Sequence, residues 1–240
     1  MELGKQAFAQ VLSQARAEGT LLPPQHPAVR LVEHVGRRIA AVAADGAGGG
    51  SCAHMRGLHW EFAVIESPQV NAFVVPGGKV VVYTGLLARL QSRDQLAAVL
   101  AHEVAHVLAR HPAERMTRGS VLTALQLAAY VALGIAVPGG LLEAGFELPN
   151  SRRDEAEADA IGLRLAARAC YDPAAAASVF AMLGRLEARQ GGGGPKLLRT
   201  HPVTDDRIRA IEKDLPDAMH WYRKEGCEST LSAFGRAFGF

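Results

Sequence analysis

Little in this sequence is extreme, and each shortage narrows what the chain can be. The 26 Lys+Arg and 24 Asp+Glu leave a formal charge of +2, too even a balance to suggest a nucleic-acid partner. Aromatic residues make up only 6%, while alanine and glycine abound. That composition suits small-residue helices joined by glycine-rich loops. The 3 cysteines, Cys52, Cys170 and Cys227, are odd in number, widely spaced and without a C-x-x-C pair. The pattern suggests neither a disulfide framework nor a cysteine-held metal, and all three are expected as half-buried thiols. Met1 to Gly19 carries Glu2, Lys5, Arg16 and Glu18 and has no continuous apolar run. No signal peptide is therefore visible, and the chain reads as cytosolic or as a mature or truncated form. There is no internal repeat. With 240 residues, 49% of them hydrophobic, a single domain with an ample core is expected.

What the sequence does contain is centred on His102-Glu103-Val104-Ala105-His106. Residues four apart share a helix face, so His102 and His106 can aim two imidazoles at one metal ion. Glu103 follows His102, and from there its carboxylate can reach a water bound to that metal and take its proton. This H-E-x-x-H pattern requires a helix. Leu96, Val99, Leu100, Val104, Val107 and Leu108 supply an apolar stripe at helical spacing. Ser92 followed by Gln95 reads as a capping box, and Pro112 stops the helix just after His111. Without further support the motif is two histidines and a glutamate on an amphipathic helix.

A catalytic zinc site needs a third protein ligand and an open position. The extended motif ending in Gly and His at fixed spacing fails, because Ala109 and Pro112 occupy those positions. His111 lies five residues past His106, about 140° round a helix, and is expected to face elsewhere. The better source is the acidic stretch from Ser151 to Gly162. Glu155 and Asp159 are four apart on one face. Glu155 can ligate the metal, and Asp159 can accept a hydrogen bond from the far nitrogen of a ligand histidine. Glu157 falls off that face and reads as solvated first-turn charge.

Further matching text is Asn71-Ala72-Phe73, Pro76-Gly77-Gly78, Thr84-Gly85-Leu86, His201-Pro202 and Arg207-Ile208. Together with the two helices it resembles the gluzincin peptidases that include the type I CAAX prenyl proteases and the HtpX heat-shock proteases. The likeness runs from roughly residue 60 to 212. It is closest to the branch of the mitochondrial inner-membrane stress protease and the periplasmic outer-membrane-assembly proteases. The resemblance implies one zinc ion per chain held by His102, His106 and Glu155, with Glu103 as general base. It places His201 and Arg207 in the active site, where both can donate to the oxyanion formed when water attacks a peptide carbonyl. His201 could alternatively swing onto the zinc's open position, and the plain alternative is a helix N-terminus capped by Thr204 with a solvated Arg207. The resemblance also implies membrane or misfolded-protein quality control, at the mitochondrial inner membrane for a eukaryotic source.

The rest of the chain supports an α+β fold: a mostly helical zincin-type domain with a small, mainly antiparallel sheet beside the H-E-x-x-H helix. Helices are expected over Met1–Gly19 and Ala28–Ala44, forming an N-terminal extension over residues 1–50. A catalytic core over 56–215 and a C-terminal tail over 216–240 packed on it complete the single domain. Strands are expected at Trp60–Ile65, Asn71–Val75 and Lys79–Tyr83, the last two joined as a hairpin through Pro76-Gly77-Gly78. The edge strand beginning Asn71-Ala72 would pair with extended polypeptide substrate, unless Asn71 simply caps a turn. Residues 119–142 hold no charge. They reach the crude length of a membrane span, but read better as a buried or membrane-dipping hairpin bordering the cleft. Asp172 and Pro173 start a further helix, and Gly191–Gly194 is a hinge-like linker. The activity expected is zinc-dependent endoproteolysis. The alternative is a chaperone-like module that binds polypeptide with little catalysis.

Overall fold

A computed structural model describes residues 2–46, 52–115, 117, 148–190, 197 and 201–227. The elements in chain order are α1 (Glu2–Ala17), α2 (Pro27–Ala44), α3 (Ala53–Arg56), β1 (Glu61–Ile65), β2 (Ala72–Val75) and β3 (Lys79–Tyr83). They continue with α4 (Thr84–Leu87), α5 (Arg93–Leu108), α6 (Leu148–Arg168), α7 (Ala174–Gln190) and α8 (Asp205–Lys224). The architecture is the helical α+β arrangement the sequence implies. Residues 119–142 and 191–194, with their membrane and hinge readings, lie outside the described residues, as does Phe234.

The sheet has the order β1-β3-β2 and is mixed. β2 and β3 form the expected antiparallel hairpin, with Ala72 opposite Val82 and Val75 opposite Lys79. β1 runs parallel to β3, with Glu61 opposite Lys79 and Ile65 opposite Tyr83. The reason lies in β3. Val80, Val81 and Val82 are 0% exposed, so this strand takes the centre and separates β1 from β2. Alternation along the strands covers both faces. Val64, Val80 and Val82 face the main core with α2 and α5, while Ala63, Ile65 and Val81 face α1 through Phe8 and Ala15. Gly77 and Gly78 carry the hairpin at φ +97° and +77°, a region that glycine enters without a Cβ penalty.

At the centre is α5. Every residue from Leu96 to Leu108 is buried, so the predicted stripe widens to the whole circumference of a core helix. The Ser92 hydroxyl accepts from Gln95 N at 3.2 Å. The return bond of the capping box goes one residue further out, from Gln91 N to Gln95 Oε1 at 2.7 Å. The far end stops earlier than Pro112 predicts. Ala109 caps α5 and Arg110 adopts φ +64°, after which residues 111–115 begin a new helical turn.

One other expectation changes. Cys170 and Cys227 form a disulfide, with Cα atoms 5.2 Å apart, where three separate thiols were expected. The bond joins the turn after α6 to the end of α8, 57 residues away. Pairing over such a distance leaves no local spacing signal. Cys52 is buried in the core. Helix α8 runs through Pro216 without a break. Its end packs on α6, with Tyr222 buried and Trp221 beside the Arg168 guanidinium at 5.4 Å.

Candidate metal centre

Helix α6 packs on α5 and comes close to it at Gly162. A Cβ at Gly162 would sit 3.1 Å from the His102 backbone nitrogen, so the missing side chain sets how near the two helices come. That approach brings Glu155 and Asp159 on α6 against His102 and His106 on α5. Helix α8 supplies Arg207. The stretch before α8 supplies His201, with Thr204 capping the helix by accepting from Arg207 N at 3.3 Å. Helix α7 contributes Phe180, whose ring stands edge-on to His102 with centroids 5.8 Å apart. The Asp172 side chain caps the start of α7 through Ala174 N at 2.9 Å.

The four groups His102, His106, Glu155 and His201 are buried, and one ligand atom from each lies within 4.8 Å of the others. His102 Nε2 is 3.1 Å from His106 Nε2 and 3.2 Å from Glu155 Oε2. Glu155 Oε1 is 3.4 Å from His106 Nε2. His201 Nδ1 lies 2.9 Å from both Glu155 oxygens and 3.4 Å from His102 Nε2. Ligands about 2.0–2.1 Å from a tetrahedral zinc ion are spaced about 3.3 Å apart, so the nitrogen and oxygen atoms are already spaced much like the corners of such a polyhedron. Glu103 adds a second sign of fit. Its Oε2 accepts from Val74 N at 3.1 Å, while its Oε1 is buried with no hydrogen-bond partner among the described residues. A water held by a metal at the cluster would supply the donor that this oxygen lacks. The donor set of two imidazoles and a carboxylate is also one that zinc prefers.

The electrostatics follow from burial. Desolvation pushes the Glu103 carboxyl above its ordinary range. Burial also drives His106 down to about 3, keeping its imidazole neutral and free to ligate. For His102 burial acts in the same direction, but the carboxylates of Asp159 and Glu155 outweigh it and lift the group to about 9. Burial alone would raise Glu155, yet hydrogen bonds from His102, His106 and His201 hold it far below the usual carboxylate range. Asp159 is likewise held low by His102 and Arg207 against its own burial. The cluster without metal thus keeps protons on histidine that an ion would displace.

Other predicted residues take more specific places. Asp159 Oδ1 lies 2.9 Å from His102 Nδ1, behind the ring. Arg207 is buried rather than solvated. Its Nε and Nη2 bond Asp159 at 2.8 Å each, its Nη1 bonds Pro202 O at 2.7 Å, and Nη1 also lies 3.2 Å from Glu155 Oε2. Its donors are thus directed at the site's own carboxylates. His201 Nε2 is 3.6 Å from Glu103 Oε1. Asn71 is buried, and its carbonyl accepts from Tyr83 N at 3.0 Å, so residues 71, 73 and 75 face β3. Ala72 and Val74 therefore present their main chain to the outer side of β2, one of the two edge strands of the sheet. Val74 N–H is the group that reaches Glu103.

Two contacts had no signal in the sequence. One is Val74 to Glu103, which depends on tertiary packing. The other is His111, expected to face elsewhere. The left-handed turn at Arg110 folds it back, so that His111 Nδ1 comes 2.8 Å from His106 Nδ1. It is no member of the four-donor cluster, but it stands directly behind one of its rings.

An H-E-x-x-H helix crossed by a helix carrying a glutamate and an aspartate defines a zincin-type metallopeptidase centre. The chain belongs to peptidase family M48, whose family model matches residues 33–215. Membership brings a zinc ion as cofactor. The chain is 41% identical over 221 residues to the mitochondrial metalloendopeptidase OMA1 of Schizosaccharomyces pombe, covering 90% of this chain and 61% of that protein. It is 35% identical over 236 residues to the Saccharomyces cerevisiae protein of the same name, covering 95% and 67%. The match to the beta-barrel assembly-enhancing protease of Escherichia coli is 32% over 161 residues, covering 62% and 33%. The chain thus spans between one third and two thirds of these relatives' length.

Proposed function

We propose that this chain is a zinc-dependent metalloendopeptidase that hydrolyses peptide bonds in misfolded or membrane-associated proteins. The observation that carries the reading is the buried cluster of His102, His106 and Glu155 beside a Glu103 oxygen that lacks a donor. In this proposal His102, His106 and Glu155 would hold the zinc, which when bound would acidify a water and polarise the scissile carbonyl. Glu103 Oε1 takes the water's proton and later delivers it to the leaving amine. The bond from Val74 N fixes the other oxygen, so the base has one free atom and one orientation. Asp159 holds the His102 tautomer, and Arg207 holds Asp159 and Glu155 in place. Extended substrate adds to the outer edge of β2, where Ala72 supplies the free main-chain groups. The same bond from Val74 ties that edge to the base, so strand addition and proton transfer share one frame.

His201 has two roles open to it, and its position favours one for the state described. With Nδ1 among the candidate ligand atoms, 2.9 Å from both Glu155 oxygens, it would take up the place that a water or substrate needs on a bound zinc. This arrangement is a resting state, and withdrawal of His201 frees the position and lets Nε2 donate to the oxyanion. His201→Ala separates the parts: a blocking role alone predicts faster cleavage, and an oxyanion role alone predicts slower cleavage.

The setting we infer is a membrane, on the strength of relatives named mitochondrial metalloendopeptidases and beta-barrel assembly-enhancing proteases. For a eukaryotic source this is the mitochondrial inner membrane. Among the described residues no helix is long and apolar enough to cross a bilayer. Residues 119–142 remain the proposed contact. The test of function is cleavage of unfolded casein before chelation, after removal of metal, and after return of zinc. Loss and recovery of cleavage are expected. Cleavage that survives complete removal of metal would overturn the proposal, and casein binding without cleavage in all three states would favour a polypeptide-binding module.

A further inference from the structure

His106 and His102 are held differently. His102 directs its Nδ1 at a carboxylate, Asp159. His106 directs its Nδ1 at another histidine, His111, whose Nδ1 is 2.8 Å away and whose ring centroid is 5.0 Å distant. His111 is only 2% exposed, and nothing in the hydrolytic proposal uses it. Two nitrogens this close share one hydrogen. His106 Nε2 points into the donor cluster, so a ligating His106 must carry its hydrogen on Nδ1, and His111 Nδ1 must accept it. His111 then carries its own hydrogen on Nε2. That atom faces Glu157 Oε2 at 3.6 Å and Asp154 Oδ1 at 4.0 Å. Both groups are acceptors. The neighbouring cation is Arg115, whose Nε lies 3.7 Å from Asp154 Oδ2 and whose Nη2 lies 3.4 Å from Glu155 Oε1.

We propose that His111 is a positioning residue for the metal centre. It fixes the tautomer and ring angle of His106 by accepting from its Nδ1, and it is itself oriented by the acidic pair Asp154 and Glu157. The chain His106–His111–carboxylate does for one ligand what Asp159 does directly for the other. It also explains why the chain turns at Arg110 in a left-handed conformation, φ +64°. A continuing α5 would carry His111 about 140° away from His106. A role is given as well to Glu157, which the sequence leaves as a solvated charge.

The inference rests on His106 being a zinc ligand, and the test keeps the two apart. Zinc affinity by chelator competition, and the visible spectrum of the cobalt(II)-substituted protein, are measured for wild type, His111→Phe, His111→Gln and Glu157→Gln. Circular dichroism and melting of the zinc-free forms report on folding. His111→Phe keeps a ring and removes the acceptor. It should bind zinc about 10- to 100-fold more weakly and shift the cobalt bands. His111→Gln, which can present an oxygen to His106, should recover most of that loss. Glu157→Gln changes only an exposed group and should weaken zinc by a smaller factor in the same direction. It keeps the proposal testable if the phenylalanine variant fails to fold. Wild-type zinc affinity and an unmoved cobalt spectrum in folded His111→Phe would overturn the positioning role, as would wild-type values in Glu157→Gln should His111→Phe not fold. A wild type that binds no zinc would instead overturn the metallopeptidase reading.

Discussion

Asp159 and Arg207 offer a quantitative test of how the centre is braced. Both are 7% exposed, and three short contacts converge on one carboxylate: His102 Nδ1 at 2.9 Å and Arg207 Nε and Nη2 at 2.8 Å each. Asp159→Asn keeps the shape but leaves one acceptor. Whichever way the amide is turned, its NH2 faces a donor, either the imidazole or the guanidinium. Removing one partner of a buried ion pair costs about 3–5 kcal/mol, and the remaining amide oxygen puts this substitution near about 3 kcal/mol. Arg207→Met should cost a similar amount, because it takes the guanidinium away from Asp159 and Glu155. The double variant removes both charges, so its loss should fall short of the sum by about 2 kcal/mol. Urea unfolding of the zinc-free proteins at neutral pH measures all three values. Chelator competition on the same proteins should show zinc held about 10- to 100-fold more weakly in Asp159→Asn. Losses below about 1 kcal/mol in the single variants, or strict additivity in the double, would refute the coupling.

Three further outcomes follow from the same geometry. Gly162→Ala would place a methyl 3.1 Å from His102 N. It should lower stability by about 1 kcal/mol and weaken zinc, after the helix-propensity gain is offset by forced separation of α5 and α6; a raised melting temperature would contradict it. In zinc-free protein His102 is raised from 6.5 to about 9. Its contribution, about 3 kcal/mol, is therefore complete below pH 6.5 and lost as pH rises through 9. Urea midpoints should fall across that window in chelator and stay flatter with zinc bound, where the imidazole is neutral; equal slopes would count against it. Reducing Cys170–Cys227, which closes a span of 57 residues, should lower stability by about 4 kcal/mol on chain-entropy grounds, read as a drop in the urea midpoint with added reductant.

The parts of this protein that the sequence reveals are those in which spacing alone sets geometry. His102, Glu103 and His106 need only a helix to share a face, and Glu155 with Asp159 needs only another. The hairpin through Pro76-Gly77-Gly78 and the caps at Ser92, Asp172 and Thr204 are equally local. The partners of these groups were not legible, because contacts between distant segments choose them. Arg207 is put in the active site by resemblance alone, and its partner Asp159 emerges only when α8 is laid against α6. His111 reads as misdirected until the left-handed Arg110 reverses the chain. β3 sits between β1 and β2 and is buried at three successive valines, on both faces, which local alternation does not reveal. The disulfide belongs to the same class, since Cys170 and Cys227 meet only after α6 and α8 have packed.

Zinc content and casein cleavage, measured on the same preparations of wild type and Glu103→Gln, test the central claim most directly. One zinc per chain in both proteins, with cleavage by the wild type alone, is the predicted result. Cleavage by Glu103→Gln at the wild-type rate, or no zinc in either protein, would contradict it.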